Sequence, residues 1–184
     1  MRASSASAVD GTETALAAAD HVFGNDRAEI TLLEYGDYEC PACIQAEPLM
    51  RHLVESHPGR VRLVYRHFPL MEVHPHAELA AEAAEAAAAQ GKFWPMHQLL
   101  FSQPHHLGLE ALTGYAQAIG LNLVRFKAEM ADHLYTQRVQ EHRRAGERSK
   151  LRATPAIFLN GRPIDVSFGF EKLEEAVEAG LKRG

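Results

Sequence analysis

Cys40 and Cys43 are the only cysteines in the 184-residue chain, and they stand where an apolar run stops and a helical pattern starts. That placement constrains the fold more than any other feature. Residues 29 to 35 (EITLLEY) are short, apolar and β-prone, and predict a buried strand that Gly36 to Glu39 breaks. From Pro41 onward Ile44, Pro48, Leu49, Leu53 and Val54 recur with the spacing of one helix face, and Pro41 suits a first helical position, where its missing N–H costs nothing. Pro48, inside that helix, should kink it. His57, Pro58 and Gly59 end it, and residues 60 to 66 (RVRLVYR) predict a second strand with Val61, Leu63 and Tyr65 on one face. Strand, helix, strand implies parallel pairing.

From about residue 73 to 151 no segment reads as a strand. Pro75 as a first helical residue, the alanine-rich stretch after it and Gly91 at its end predict one helix. Further helices are expected over 93–101 (before Pro104), around Leu109 to Ile119, from an Asn122 cap through Phe126 and Met130, and over the polar segment 135–150. Two short β runs then flank Asn160 and Gly161, a strong two-residue hairpin signal, and Pro163 assigns the second to a sheet edge. Phe170, Leu173 and Val177 mark a last amphipathic helix. The order β-α-β, helical block, β-β-α predicts an α/β unit with a helical subdomain inserted in its middle. The expected divisions are a flexible tail over 1–19, a βαβ half over 20–72, the insertion over 73–151 and a ββα half over 152–184.

Composition narrows the function. Lysine plus arginine number 19 against 24 acidic residues, a net charge of −5 that disfavours nucleic acid or an anionic membrane as partner. No apolar run approaches the roughly 20 residues of a membrane span. The N-terminal 20 residues carry Asp10, Glu13 and Asp20 and no sustained apolar stretch, so they do not read as a secretory signal. The expected location is the cytoplasm, or the periplasm or exterior if a signal has been trimmed. A lone cysteine pair in the cytoplasm points to catalysis or metal binding rather than stapling.

A C-x-x-C pair at the start of a helix places its first sulfur against the unpaired N–H groups and positive end of that helix, which favours a thiolate. Asp37 and Glu39 would oppose this if they lie close. The second thiol, one turn deeper, suits a resolving role that attacks a mixed disulfide. Two other uses stay open. Zinc needs four ligands, so His74 and His76, or His105 and His106, would have to join the cysteines. A structural disulfide with a two-residue loop would remove little chain entropy. Glu34, six residues before Cys40, reads from the residues alone as a strand-end carboxylate or a proton relay. The stretches LLEYGDYECPAC (32–43), RHFPL (66–70), HPHAELAAEAAEAA (74–87), QGKFWPMHQLLF (90–101) and TPAIFLNG (154–161) together resemble the DsbA-like branch of the thioredoxin superfamily, over about residues 20 to 184.

The resemblance implies a thioredoxin fold with a helical insertion between the second strand of the βαβ half and a cis-proline strand. It implies a thiol:disulfide oxidoreductase in which Cys40 attacks, Cys43 resolves, and Glu34 passes a proton to or from the second thiol. Thr154 and Pro155 resemble the cis-proline loop beside the disulfide, and with Pro41 and Ala42 they are the implied contacts to an extended substrate. Partners would be protein or peptide thiols and disulfides and a redox recycling partner, with a monomer expected and no cofactor or metal. Ala153 stands where relatives often carry glycine. The Pro41-Ala42 dipeptide lacks the histidine of strongly oxidising members, which, with the expected cytoplasmic location, tilts the expectation toward a reductase or general oxidoreductase. The alternative from another class is a binding or chaperone-like module on the same scaffold, with the cysteines idle or holding zinc. Among the other features, the basic stretch Arg138, His142, Arg143, Arg144, Arg148, Lys150 and Arg152 reads as a solvated helix face, and the 11 histidines as surface or packing residues.

Overall fold

The computed structural model describes residues 14–183, so most of the expected tail, residues 1–13, lies outside the described residues. Two strands of near-identical character form the centre: β2 (Ile30–Gly36) and β3 (Val61–His67) pair in parallel, with Glu34 opposite Tyr65. The helix between them, α1 (Pro41–Ser56), supplies the crossover that parallel pairing demands. It runs unbroken across Pro48, whose side is exposed to solvent.

A strand that the sequence reading did not include, β1 (His21–Gly24), adds antiparallel to the outer edge of β3. It has four residues and no apolar alternation, the two features on which a strand is recognised from sequence. Residues just before it are tied down as well, since the Ala15 and Ala19 carbonyls accept from Arg66 and Arg138. On the opposite side β4 (Ala156–Leu159) joins β2 antiparallel and β5 (Arg162–Ile164) closes the edge, giving the order β1-β3-β2-β4-β5. Asn160 and Gly161 both have positive φ, 48° and 81°, in the β4–β5 turn, and Pro163 sits on the edge strand.

Alternation along β2 separates two cores. Ile30 and Leu32 point toward α1 and the C-terminal helix α7 (Glu171–Leu181), where they meet Met50, Leu53, Leu173 and Val177. Leu33 and Tyr35 point to the other face, against Val64, Phe68 and Phe158. Between β3 and β4 the chain folds as five helices: α2 (Ala77–Ala88), α3 (Phe93–Ser102), α4 (Leu109–Ala118), α5 (Leu123–Ala131) and α6 (Thr136–Arg148). Helix α2 is the insertion's centre. Nine of its twelve residues are buried, and its alanines let α3, α5 and α6 approach closely. It starts at Ala77 with His76 before it, so Pro75 lies in the preceding turn rather than at the first helical position. The Asn122 cap is formed, its side chain accepting from the Arg125 N–H at 3.0 Å. His142 departs from the solvated face expected of α6: it is buried, and its ring stacks on His67 at 5.5 Å. The solvent-facing pattern of its neighbours Arg143 and Arg144 concealed an inward position on the same helix.

Candidate functional site

Cys40 is the N-cap of α1 and Pro41 its first residue, so the Cys40 sulfur lies at the end of the helix where N–H groups are unpaired. Cys43, one turn in, is fully buried. Both are free thiols. The Cys43 S–H donates to Cys40 Sγ, and this is the main cause that lowers the Cys40 pKa to about 5; the Thr154 side chain and the N–H groups of Cys43 and Ala42 add to it, against burial, which raises it. The Thr154 carbonyl lies 3.3 Å from the same sulfur and accepts from it while Cys40 is a thiol. The Thr154 hydroxyl is buried with no partner in that state, and is free to turn to the sulfur once a thiolate forms. Cys43 moves the other way. Burial, the hydrogen bond it gives to Cys40, and the charges of Glu34 and Cys40 push its pKa well above the ordinary value.

Sheet register explains why residues 114 positions apart meet. Strand β4 pairs Tyr35 with Ala156 and Glu34 with Ile157, which brings the preceding Thr154 and Pro155 to the C-terminal end of β2, beside Cys40. The Thr154–Pro155 peptide is cis. Thr154 is buried, Pro155 and Ala42 are half-buried, and Pro41 and Ala153 are exposed. All the residues singled out in the sequence for this site therefore converge on one end of the sheet, with Glu34 beneath them.

Glu34 is 1% exposed, and its Oε1 has no hydrogen-bond partner. Burial first, then the charges of Glu47 and Cys40, push its pKa well above the ordinary carboxylate range. Across the register Tyr65 is buried too, its hydroxyl also without a partner. Gly36 makes room for this ring, since a Cβ there would lie 2.8 Å from the Tyr65 hydroxyl. A buried polar atom left without a partner costs about 1–3 kcal/mol, so both positions call for a reason beyond packing.

Around this pair stand residues that sequence reasoning missed. Glu47, one turn beyond Cys43 on α1, pairs with His97 Nε2 at 3.1 Å and with Arg51 at 3.1 Å. His97 Nδ1 in turn meets the Tyr38 hydroxyl at 3.0 Å. Asp37 organises the loop before Cys40: its oxygens accept from the N–H groups of Glu39 (2.7 Å) and Leu70 (2.8 Å) and from His74 Nδ1 (2.7 Å). Glu39 likewise accepts from the His76 N–H at 2.6 Å. These carboxylates face the residue 70–76 loop and are not among the largest causes of the Cys40 shift. His74 and His76 are thus partners of Asp37 and Glu39. Among the described residues neither cysteine joins any group of three or more metal-capable side chains, so the zinc reading of the pair has no ligand set to rest on.

A family model described as thioredoxin matches residues 17–179. The chain is 45% identical over 162 residues to an Na(+)/H(+) antiporter, NhaA 1, of Salinispora arenicola, a match that covers 88% of this chain and 25% of that protein. It thus spans about a quarter of the length of the curated relatives it matches. Among solved structures it superposes on a thioredoxin-like oxidoreductase from Silicibacter pomeroyi with a TM-score of 0.76 and 26% identity, covering 89% of this chain and 92% of that one. Oxidised BdbD from Bacillus subtilis gives 0.77 at 23% identity, over 88% and 92%.

Proposed function

Since the chain belongs to the thioredoxin family and has the DsbA-like form of its fold, we propose that it is a thiol:disulfide oxidoreductase that oxidises protein or peptide dithiols. The observation that carries this is the Cys40 sulfur, which sits at a helix N-terminus and receives hydrogen bonds that lower its pKa to about 5. In the oxidised protein a substrate thiolate attacks Cys40 Sγ; the Cys40–Cys43 bond breaks, and Cys43 leaves with the electron pair. Its thiolate is disfavoured in that buried position and takes a proton from the Glu34 carboxyl. A second substrate thiolate then attacks the substrate sulfur of the mixed disulfide, and Cys40 leaves as the stabilised thiolate. The products are a substrate disulfide and the reduced pair. A recycling partner of disulfide chemistry must then accept two electrons.

Direction follows from the leaving group. A Cys40 thiolate favoured at neutral pH stabilises the reduced form relative to the disulfide, which makes the protein an oxidant. The absent histidine at position 42 and the expected cytoplasmic location tilt the other way, toward a reductase or general oxidoreductase. The donors to Cys40 here are the Cys43 S–H, Thr154 and backbone N–H groups, none of which needs that side chain. For the substrate, Thr154 and Pro155 offer an extended backbone segment, and Pro41 and Ala42 the adjoining helix end. A pocket lined by Glu39, Pro41, Ile44, His74, Pro104 and His105 continues away from Cys40. Antiport is not proposed: what the chain shares with the antiporters is a quarter of their length, and no helix among its described residues is long and apolar enough to cross a membrane.

The test is the redox equilibrium of the pair with glutathione. The expected potential is well above the about −270 mV of thioredoxin, with each 30 mV corresponding to about 1.4 kcal/mol. A value at or below thioredoxin's sinks the oxidising direction, and full exchange activity in Cys40→Ser sinks the enzyme reading altogether.

A further inference from the structure

Away from the thiols, three side chains from three elements meet at one point. His21 comes from β1, His67 from the end of β3 and Glu85 from α2. Glu85 Oε1 lies 2.8 Å from His21 Nε2 and 2.8 Å from His67 Nε2, and the ligand-capable atoms of all three lie within 4.8 Å of one another. None of the three has a part in the exchange chemistry described above.

The charge at this point needs a cation. A buried carboxylate is paired with a positive group or bound to a metal, because an isolated one is too costly to desolvate. Glu47 meets that condition through Arg51 as well as His97. Glu85, 6% exposed, has two imidazoles and, among the described residues, no arginine or lysine. Two imidazoles and one carboxylate are a donor set suited to zinc and related first-row divalent ions, with a fourth position left for water.

We propose that His21, His67 and Glu85 form a divalent-cation site of the zinc class, which clips β1 and the central helix of the insertion to the sheet. Zinc bonds of about 2.0–2.2 Å set tetrahedral ligand atoms roughly 3.3–3.5 Å apart. The present 2.8 Å contacts must open by about half an ångström, a change within reach of rotation in the Glu85 side chain. The rings are already held. Phe93 stacks on His21 at 3.7 Å, and His142 stacks on His67 at 5.5 Å. His21 is the least buried of the three, with 14% of its side chain exposed, so the ion arrives from its side and the water ligand lies there.

The experiment uses the full chain with the Cys40–Cys43 disulfide formed, so that the thiols cannot bind metal. Chelator-stripped protein is titrated with Zn²⁺ by calorimetry and with Co²⁺ by visible absorption. One equivalent is expected, with a cobalt spectrum free of sulfur charge-transfer bands and a rise in melting temperature with zinc. His21→Gln and Glu85→Gln should each weaken binding at least tenfold, whereas His105→Ala should not change it. Because Glu85 lies in the core, the His21 variant on the rim carries the test, and retained exchange activity certifies its fold. The proposal is overturned by no binding to the oxidised protein, by an affinity that His21→Gln leaves unchanged, or by binding seen only after reduction with sulfur-to-cobalt bands.

Discussion

Cys40 and Glu34 are perturbed in opposite senses, and each leaves its own mark on a pH axis. The rate of Cys40 alkylation should follow a titration with a midpoint near 5, and a midpoint near the ordinary thiol value of about 8.5 would contradict the hydrogen-bonding scheme at its sulfur. Because that pKa is depressed in the folded state, the stability that Cys40 lends the reduced protein is present above the unfolded value and is lost as pH falls toward 5. Glu34 acts in reverse. Its folded pKa is raised, so its contribution is present below the unfolded value, about 4.3, and is lost as pH rises toward the folded one. Glu34→Gln should therefore raise the melting temperature at pH 8 while slowing formation of the mixed disulfide from the oxidised pair by roughly 10²-fold, the lower end of what a general acid supplies. Loss of stability together with an unchanged rate of mixed-disulfide formation would refute the relay. The two cysteines were legible because their relation is local. Glu47 was within reach of the same reasoning, one turn past Cys43, but the roles of His97, Tyr65 and Asp37 were not. Their partners lie tens of residues away, at separations such as 59 for Tyr38 and His97 and 33 for Asp37 and Leu70, and only the fold brings them together.

At the level of elements, α6 shows how closely the insertion is fitted to the sheet. A Cβ at Gly146 would lie 2.6 Å from the buried ring of Phe68, whereas one at Gly114 on α4 meets nothing within 4 Å. Gly146→Ala should lower stability by about 1–2 kcal/mol in urea unfolding, since overpacking of about 1–3 kcal/mol exceeds the helical preference for alanine of up to about 1. Gly114→Ala should raise it by up to about 1 kcal/mol, having only the preference to gain. Equal effects in the two variants would mean that α6 does not rest on Phe68 as described. Elements with strong periodicity or composition, such as β2, α1 and α2, could be read directly from the residues. Strand β1 could not, because four residues on a sheet edge are specified by the partner they find in β3, and the start of α2 was displaced by two residues because Pro75 serves a turn instead of a helix end.

For the molecule as a whole, the thiolate at Cys40 ties redox state to stability. If the reduced pair is favoured in the folded protein more than in the unfolded chain, the reduced protein must be the more stable form, by the closed cycle linking folding and oxidation. Urea melts of both forms at pH 7 should place the reduced midpoint higher, and an oxidised form that melts later would rule out the oxidising assignment. The overall architecture was legible because strand, helix and hairpin signals come in an order that few folds accommodate; the depth at which Glu34 and Tyr65 lie was not, since burial belongs to the assembled sheet. The same assembly governs the protein's birth. Cys40 leaves the ribosome 114 residues ahead of Thr154, which at about 5–20 residues per second amounts to roughly 6–23 s of synthesis. Throughout that interval β4 has not yet added to β2, and the Thr154 contact at the Cys40 sulfur is missing. The site at the end of β2 is thereby completed only when the last strands arrive.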